Sequence, residues 1–242
     1  MGDNVKLGIR LQQIRAMAGG GYDHVWDGCC DHGYLGISLL TQPGMGQVHF
    51  VDVVPELIND LDARLAQHPC SHWHTHCMDV AELPLAANPG RHLVILAGIG
   101  GDLVIDIVNR LHQRHPTAEI DYLLCPVYHT FAVRERLIQL DFHLHAEALV
   151  QERRHCYEIL KVSPLSHRSR HLPKVSPAGD SIWQTETPEQ ARIAQHYLQR
   201  TLNHYRRVQQ GNLKDVKEAV AAYEAIEPNP AMAANVDSFK NL

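Results

Sequence analysis

The sequence contains no apolar run that approaches the roughly 18 residues of a membrane span, since the stretch HLVILAGIGG is about half that length. The first residues, MGDNVKLGIRLQQIR, also lack the apolar block of a secretory signal. These two absences predict a cytoplasmic protein that does not contact a membrane. With 45% hydrophobic and 20% charged residues in 242, the chain is long enough and apolar enough to bury a proper core.

An excess of positive charge is absent as well. The formal net charge is −5, which argues against a protein that coats nucleic acid by bulk electrostatics, although it does not exclude a local basic patch. The six cysteines, at positions 29, 30, 70, 77, 125 and 156, are scattered along a chain without an export signal. We therefore interpret them as reduced thiols and not as a disulfide framework.

Short apolar strands alternate with helical patterns through the first two thirds of the chain. This alternation predicts an α/β fold with a parallel sheet covered by helices on both faces. One predicted helix, over residues 101–115, has Leu103, Ile107 and Leu111 on one face. The last two strands, HLHAEALVQE and CYEILKVS, are longer, more polar and joined by a short loop, which predicts an antiparallel pair.

The composition changes after residue 162. Residues 1–162 form the predicted α/β domain, and residues 163–188, with four prolines and several serines and basic residues, form a predicted linker or excursion from the sheet. Residues 189–242 form a predicted C-terminal extension. It consists of a helical hairpin with a break at QGN, followed by a loosely held tail.

Acidic residues and glycines follow the predicted strands in DGCCDHG, VDVVPE, MDVAE and AGIGG. In an open α/β sheet, ligands bind beyond the carboxyl ends of the strands. The first stretch matches neither GxGxxG nor a P-loop, because Cys29 and Cys30 stand where glycines would admit a pyrophosphate. Asp27, Asp52 and Asp79 instead suit a cationic cofactor with a ribose and an adenine but no phosphate, which describes S-adenosylmethionine.

Other interpretations of these residues stay open at this point. The three aspartates could simply cap the following helices, and Asp102 is expected to cap the next helix after AGIGG. Cys29, Cys30, Asp31 and His32, or the His-rich segment 68–77, could bind a metal, although the first set lacks the usual Cys-x₂-Cys spacing and we predict no metal site. A cysteine nucleophile is disfavoured, because acidic neighbours oppose thiolate formation.

The segments RLQQIRAM, WDGCCDHGYLGISLL, VILAGIGGDLVIDIV and RRHCYEILKV, in that order, resemble the bacterial tRNA (adenine-22-N1) methyltransferase family. The resemblance covers roughly residues 5–162 and implies a Rossmann-like class I methyltransferase fold with a C-terminal helical extension. It also implies S-adenosylmethionine as the cofactor and tRNA as the partner. With the strand-end aspartates, it gives candidate cofactor-binding residues at Asp27, Gly28, Cys29, Asp31, His32, Gly33, Asp52, Val53, Asp79, Val80, Ala97, Gly98, Ile99, Gly100 and Gly101.

The implied reaction is methylation of adenine N1, which has its own lone pair and needs no deprotonation. Because the product ring is cationic, we expect Asp31 to stabilise it, with Tyr34 or Tyr128 as a stacking surface. The expected nucleic-acid contacts are Arg153, Arg154, Arg168, Arg170 and Lys174. The alternatives are methylation of another nucleic acid, a protein or a small molecule, or a binding module that has this fold without catalysis.

Overall fold

The structure is a computed structural model that describes residues 6–166, 168–211 and 215–227. Seven strands form one sheet in the order β3-β2-β1-β4-β5-β7-β6. They are β1 (Tyr22–Gly28), β2 (Met45–Asp52), β3 (Trp73–Cys77), β4 (His92–Ala97), β5 (Ile120–Cys125), β6 (Phe142–Glu152) and β7 (His155–Pro164). The helices are α1 (Ile9–Ala18), α2 (Tyr34–Leu40), α3 (Pro55–Leu65), α4 (Gly101–Arg114), α5 (Thr130–Gln139), α6 (Pro188–Gln210) and α7 (Lys217–Glu224).

The predicted fold class is confirmed. Strands β1 to β5 pair in parallel, and β7 pairs antiparallel to both β5 and β6. Helices α1, α2 and α3 pack on one face of the sheet, and α4 and α5 pack on the other. Each face buries its own apolar cluster, as the near-continuous apolar pattern of the central strands requires.

One detail of the helical pattern is wrong. Leu103 is 46% exposed, whereas Val104, Ile107, Val108 and Leu111 form the buried face of α4. Leu103 and Val104 are adjacent apolar residues in the first turn of this helix. The path of the preceding loop determines which of them faces the sheet. No helix in the described ranges is long and apolar enough to cross a membrane.

The predicted C-terminal hairpin corresponds to α6 and α7, and the predicted loose tail lies outside the described residues from position 228 onward. Residues in the proline-rich segment 163–188 run beside the edge strand β6, where the Leu144 amide donates to the Pro173 carbonyl at 2.8 Å. The division of the chain into domain, linker and extension stays a prediction.

A fully buried guanidinium joins these C-terminal parts to the sheet. Arg134 on α5 donates from Nε to Glu158 Oε2 at 2.7 Å and from Nη2 to Glu147 Oε2 at 2.6 Å. Glu158 also accepts from the Tyr197 hydroxyl of α6 at 2.5 Å, and Glu147 accepts from the backbone amide of Asp180 at 2.6 Å. The network therefore connects α5, β6, β7, segment 163–188 and α6 through one positive charge.

The opposite half of the sheet contains a histidine face, formed by His24, His49, His74, His76 and His92 around Trp26. His49 stacks on the Trp26 ring at a centroid distance of 3.8 Å. Its ring nitrogens lie 3.0 Å from those of His24 and His76. Burial is the main cause that lowers the pKa of His49 to about 3 and that of His92 to about 4, and neighbouring imidazoles lower both further.

Replacing Arg134 by methionine should destabilise the protein severely, because it leaves two carboxylates buried without a cation. We expect the free energy of unfolding in urea to fall by about 3–5 kcal/mol. The matched control is Arg206→Met, which removes the exposed ion pair with Glu224 and should cost less than about 1 kcal/mol. Equal losses in the two variants would contradict the role of the buried network.

The histidine face should make stability depend on pH. In the unfolded chain a histidine has a pKa of about 6.5, so between about pH 4 and 6 the unfolded state binds more protons than the folded state. Stability should therefore fall as the pH falls through this window. The His49→Gln variant should lose about 1.4 kcal/mol per pH unit of that slope, which corresponds to one proton. Urea unfolding at several pH values measures it, and an unchanged slope would rule out a neutral buried His49.

Candidate active site

The candidate residues of the strand-end motifs meet at the carboxyl edge of the sheet. The chain leaves β1, adds β2 and β3 on one side of it, and then adds β4 and β5 on the other side. Strand β1 is therefore the point where the direction of winding reverses, and open α/β sheets bind ligands beyond the carboxyl ends of the strands at such a point. The loops after β1, β2, β3 and β4 all begin at this edge.

The first loop, residues 28–33, has an unusual backbone. Cys29 (φ 56°) and Asp31 (φ 51°) occupy the left-handed region together with Gly33 (φ 69°). A left-handed non-glycine residue costs on the order of 1 kcal/mol, so tertiary contacts must hold this loop. The Asp31 amide donates to Asp52 Oδ2 at 3.0 Å, and the Cys30 amide donates to the Val51 carbonyl at 3.1 Å. The end of β2 thus fixes the conformation of the first loop.

Asp27 lies underneath this loop and is almost completely buried, with 4% exposure. Its Oδ2 atom accepts from the Gly36 amide of α2 at 2.8 Å. Burial raises the pKa of the Asp27 carboxyl to about 7, the Gly36 hydrogen bond lowers it, and the nearby Asp52 charge raises it further. Asp27 therefore holds the first turn of α2, and its charge changes near neutral pH.

The other two aspartates border the same space. Asp52 accepts from the Val54 amide at 3.1 Å in addition to Asp31, and Asp79 accepts from the Ala81 amide at 2.9 Å and from Arg110 at 2.8 Å. The Ala81 hydrogen bond, then Arg110, lowers the pKa of Asp79. Asp79 caps the short helical turn at Val80–Glu82, so the capping interpretation is confirmed for this one residue.

The charges of all three carboxylates act on the thiol of Cys29. Burial raises the pKa of its thiol to about 11, and the charges of Asp52, Asp27 and Asp79 add to that rise. Burial also raises the pKa of Cys30. Both thiols are therefore protonated at neutral pH, which disfavours a cysteine nucleophile at this loop. The surroundings of Cys29 are anionic, as a site for a cationic ligand would be.

The second loop, residues 97–101, forms a wall beside the loop that follows β5. The Gly98 amide donates to the Cys125 carbonyl at 3.2 Å, the Val127 amide to the Ile99 carbonyl at 2.9 Å, and the Gly101 amide to the Tyr128 carbonyl at 3.1 Å. A Cβ atom on Gly100 would overlap the Tyr128 ring, so this glycine lets the ring pack against the backbone. The Tyr128 side chain remains 55% exposed and presents an aromatic surface to solvent.

The expected cap at Asp102 is wrong. Gly100 is the N-cap of α4, and Asp102 lies in the first turn with its Oδ2 atom 2.9 Å from His129 Nδ1. Sequence position alone did not distinguish an N-cap from a first-turn residue, because the extended conformation of Gly100 starts the helix two residues earlier than a cap at Asp102 would.

The exposed candidates of the first loop lie at its outer side. Asp31 and His32 are exposed, and the Arg64 guanidinium lies 5.5 Å from the ring centroid of Tyr34 and donates to the His32 carbonyl at 2.9 Å. Val53 is exposed beside Asp52, and Val80 is buried behind Asp79. One residue near the edge was not predicted. Arg10, in the RLQQIRAM segment of α1, has its guanidinium beside Gly98.

The predicted nucleic-acid contacts differ in their surroundings. Arg168 pairs with Glu119 at 2.7 Å, and Lys174 pairs with Asp141 at 2.7 Å. Arg153 and Arg154 form the exposed turn between β6 and β7, and Arg170 is exposed in the proline-rich segment.

The histidine face uses its ring nitrogens for mutual hydrogen bonds, and no cluster of His, Cys, Asp or Glu in the described part of the chain is arranged to hold a metal ion.

Comparisons with solved structures show the same fold over nearly the whole chain. An uncharacterized protein from Listeria monocytogenes serotype 4b is 16% identical, with 90% of this chain and 98% of that chain covered and a TM-score of 0.73. The m1A22 tRNA methyltransferase TrmK of B. subtilis is 18% identical, with 98% of each chain covered and a TM-score of 0.65. TrmK of M. capricolum, solved with S-adenosylhomocysteine, is 15% identical, with coverages of 96% and 93% and a TM-score of 0.63.

No curated protein matches the sequence. The family model described as "Methyltransferase domain" matches residues 7–160, which include β1 to β6, most of β7 and both candidate loops. Since this match spans more than half of the chain, the protein belongs to the methyltransferase domain family.

Proposed function

We propose that this protein transfers the methyl group of S-adenosylmethionine to N1 of an adenine in tRNA, and that it does so in the cytoplasm. The observation that carries the proposal is the placement of Asp27, Asp52 and Asp79 at or just beyond the carboxyl ends of three neighbouring parallel strands, β1, β2 and β3, at the switch point of the sheet. The relatives with this fold include two proteins named TrmK, one of them solved with S-adenosylhomocysteine, and each is covered over more than nine tenths of its length.

The residues at the edge suit this cofactor. Asp52 would accept from the ribose hydroxyls and Asp79 from the adenine amino group, because each carboxylate has lone pairs left beside the hydrogen bonds that it already accepts, which for Asp79 include the one from Arg110. The rest of the cofactor would lie between the two loops. The first loop contains Gly28, Cys29, His32 and Gly33, and the second loop runs from Ala97 to Gly101. When bound, the cofactor supplies an electrophilic sulfonium methyl group.

The chain itself has to position the adenine and stabilise positive charge. Adenine N1 needs no general base, so most of the acceleration comes from alignment of the nucleophile with the methyl group. Tyr128, which packs against Gly100, offers a stacking surface, and Tyr34 offers a second one. Asp31 is exposed at the outer side of the first loop, where its carboxylate would stabilise the cationic product ring.

The exposed arginines beyond residue 150 are the proposed phosphate contacts. Arg153, Arg154 and Arg170 are favoured within the predicted set, since Arg168 and Lys174 would first have to give up their carboxylate partners. We keep residues 1–162 as the proposed catalytic domain, residues 163–188 as the proposed linker and residues 189–242 as the proposed C-terminal extension.

The proposal is tested by incubating the purified protein with methyl-labelled S-adenosylmethionine and unmodified tRNA transcripts, followed by digestion to nucleosides. We expect the label in 1-methyladenosine. Label in another nucleoside would contradict adenine N1 as the acceptor. If calorimetry shows cofactor binding but no tRNA is labelled, the substrate assignment fails. If the cofactor does not bind either, the binding-module interpretation becomes the better one.

Asp31→Asn should separate catalysis from binding. Asparagine tolerates the left-handed backbone that Asp31 requires and removes only the charge. We expect kcat to fall by roughly 100-fold, while the dissociation constant of S-adenosylhomocysteine changes by less than about 3-fold. Asp60→Asn, at an exposed position on α3, is the control and should behave like the wild type. Equal large losses in kcat and cofactor affinity would make Asp31 a binding residue instead.

A further inference from the structure

A histidine and a carboxylate are paired at the carboxyl edge of the sheet without a role in the site described so far. His129, in the loop after β5, has its Nδ1 atom 2.9 Å from Asp102 Oδ2 in the first turn of α4. Both side chains are exposed, and an exposed ion pair contributes little to stability. His129 also has a left-handed backbone (φ 60°), which costs free energy in a residue other than glycine. Stability of the fold therefore does not account for this pair.

The carboxylate determines which ring nitrogen of His129 carries the proton. A carboxylate only accepts hydrogen bonds, so the Nδ1–H group of the imidazole donates to Asp102. In the neutral ring the other nitrogen, Nε2, is then a hydrogen-bond acceptor. The partner carboxylate fixes the orientation of the ring and makes Nε2 a stronger acceptor. The pair thus offers a neutral acceptor of set direction to a ligand.

The loop that carries His129 is joined to the second strand-end loop. The Gly101 amide donates to the Tyr128 carbonyl at 3.1 Å, and a Cβ atom on Gly101 would lie 3.0 Å from His129 Cβ. The His129 ring stands nearly perpendicular to the Tyr128 ring, with an angle of 81° and centroids 4.8 Å apart. The acceptor therefore lies next to the aromatic ring that is the proposed stacking surface for the target base.

The side chains around the pair favour a nucleobase over a phosphate. Leu103 follows Asp102, and Val127 and Tyr128 precede His129, and all three are exposed apolar side chains. Such side chains suit the flat face of a base. A phosphate requires positively charged or N–H donors, whereas Asp102 carries a negative charge and Nε2 of the neutral ring accepts. A base with an amino group on its edge satisfies both requirements of this surface.

We infer that His129 accepts a hydrogen bond from the exocyclic amino group of the target adenine, with Asp102 as its positioning residue. The inference rests on the proposed function and adds to it the residue that recognises the methyl acceptor. Adenine has this amino group beside N1, whereas guanine and hypoxanthine have an oxygen there, whose lone pairs would face those of Nε2. His129 would therefore select adenine among the purines.

The same hydrogen bond also favours the reaction. The N1 lone pair forms the new N–C bond while the electrons of the broken S–C bond stay on sulfur, and no proton has to be transferred. The positive charge that develops on the ring is shared with the amino group, which becomes a stronger donor. The hydrogen bond to His129 Nε2 is thus stronger in the transition state than in the ground state, and such a difference raises kcat.

The test uses two RNA substrates that differ only in this amino group. One is the unmodified tRNA, and in the other, joined from synthetic fragments, purine riboside replaces the adenosine that the wild type methylates. Transfer of labelled methyl groups gives kcat/KM for each RNA. We expect the wild type to prefer adenine by roughly 100-fold. In His129→Asn, which tolerates the left-handed backbone, this ratio should fall below about 10.

Asp102→Ala should lower the same ratio by about 3-fold, because the imidazole keeps its nitrogen but loses its fixed orientation. His196→Gln, at an exposed position on α6, is the control and should keep the wild-type ratio. Circular dichroism verifies that each variant folds, and if His129→Asn does not fold, the ratio of Asp102→Ala decides.

Two kinds of failure can be told apart. An unchanged ratio in the folded variants overturns the inference, as do equal losses on both RNAs, which would indicate a purely structural role. A wild type that methylates both RNAs equally well also overturns it. If the wild type methylates no adenine N1 in the unmodified tRNA, the proposed function fails together with the inference.

Discussion

The parallel pairing of β1 with both β2 and β4 is the constraint on which the position of every candidate site residue depends. Together with the parallel pairing of β2 and β3, it brings the ends of three consecutive strands to one edge, so that the charges of Asp27, Asp52 and Asp79 all act on Cys29 although these residues are far apart in the chain. It also places the second loop, with Gly98, next to the first. A shift of one residue in either pairing would turn the strand-end side chains to the opposite face of the sheet.

Several features of the site cost free energy, and the rest of the fold has to offset that cost. Two non-glycine residues of the first loop have left-handed backbones, the Asp27 carboxyl is buried, and two donors of Arg10 lack acceptors. Such features persist where the surrounding structure over-determines them, and they cluster at binding sites. Here the support comes from the end of β2, from the apolar clusters on both faces of the sheet and, at its far side, from the buried network around Arg134.

Local patterns in the sequence were sufficient to predict the alternation of strands and helices, the antiparallel pair β6–β7, the C-terminal hairpin and the strand-end positions of the aspartates. The errors at Leu103 and Asp102 have a common origin, since both depend on the exact path of the second loop into α4. The sequence could not predict the positions of Arg10, Arg134 and the histidine face. Their contacts join segments that are distant in the chain, and such contacts leave no periodic signal in the sequence.

The central claim is that the two strand-end loops form one cofactor site. Hydrogen–deuterium exchange of the full chain, with and without S-adenosylhomocysteine, tests it most directly. The account predicts slower amide exchange in residues 28–36 and 97–101 when the ligand is present, with α6 unchanged. Protection confined to other segments, or no protection at a ligand concentration that saturates binding, would contradict it.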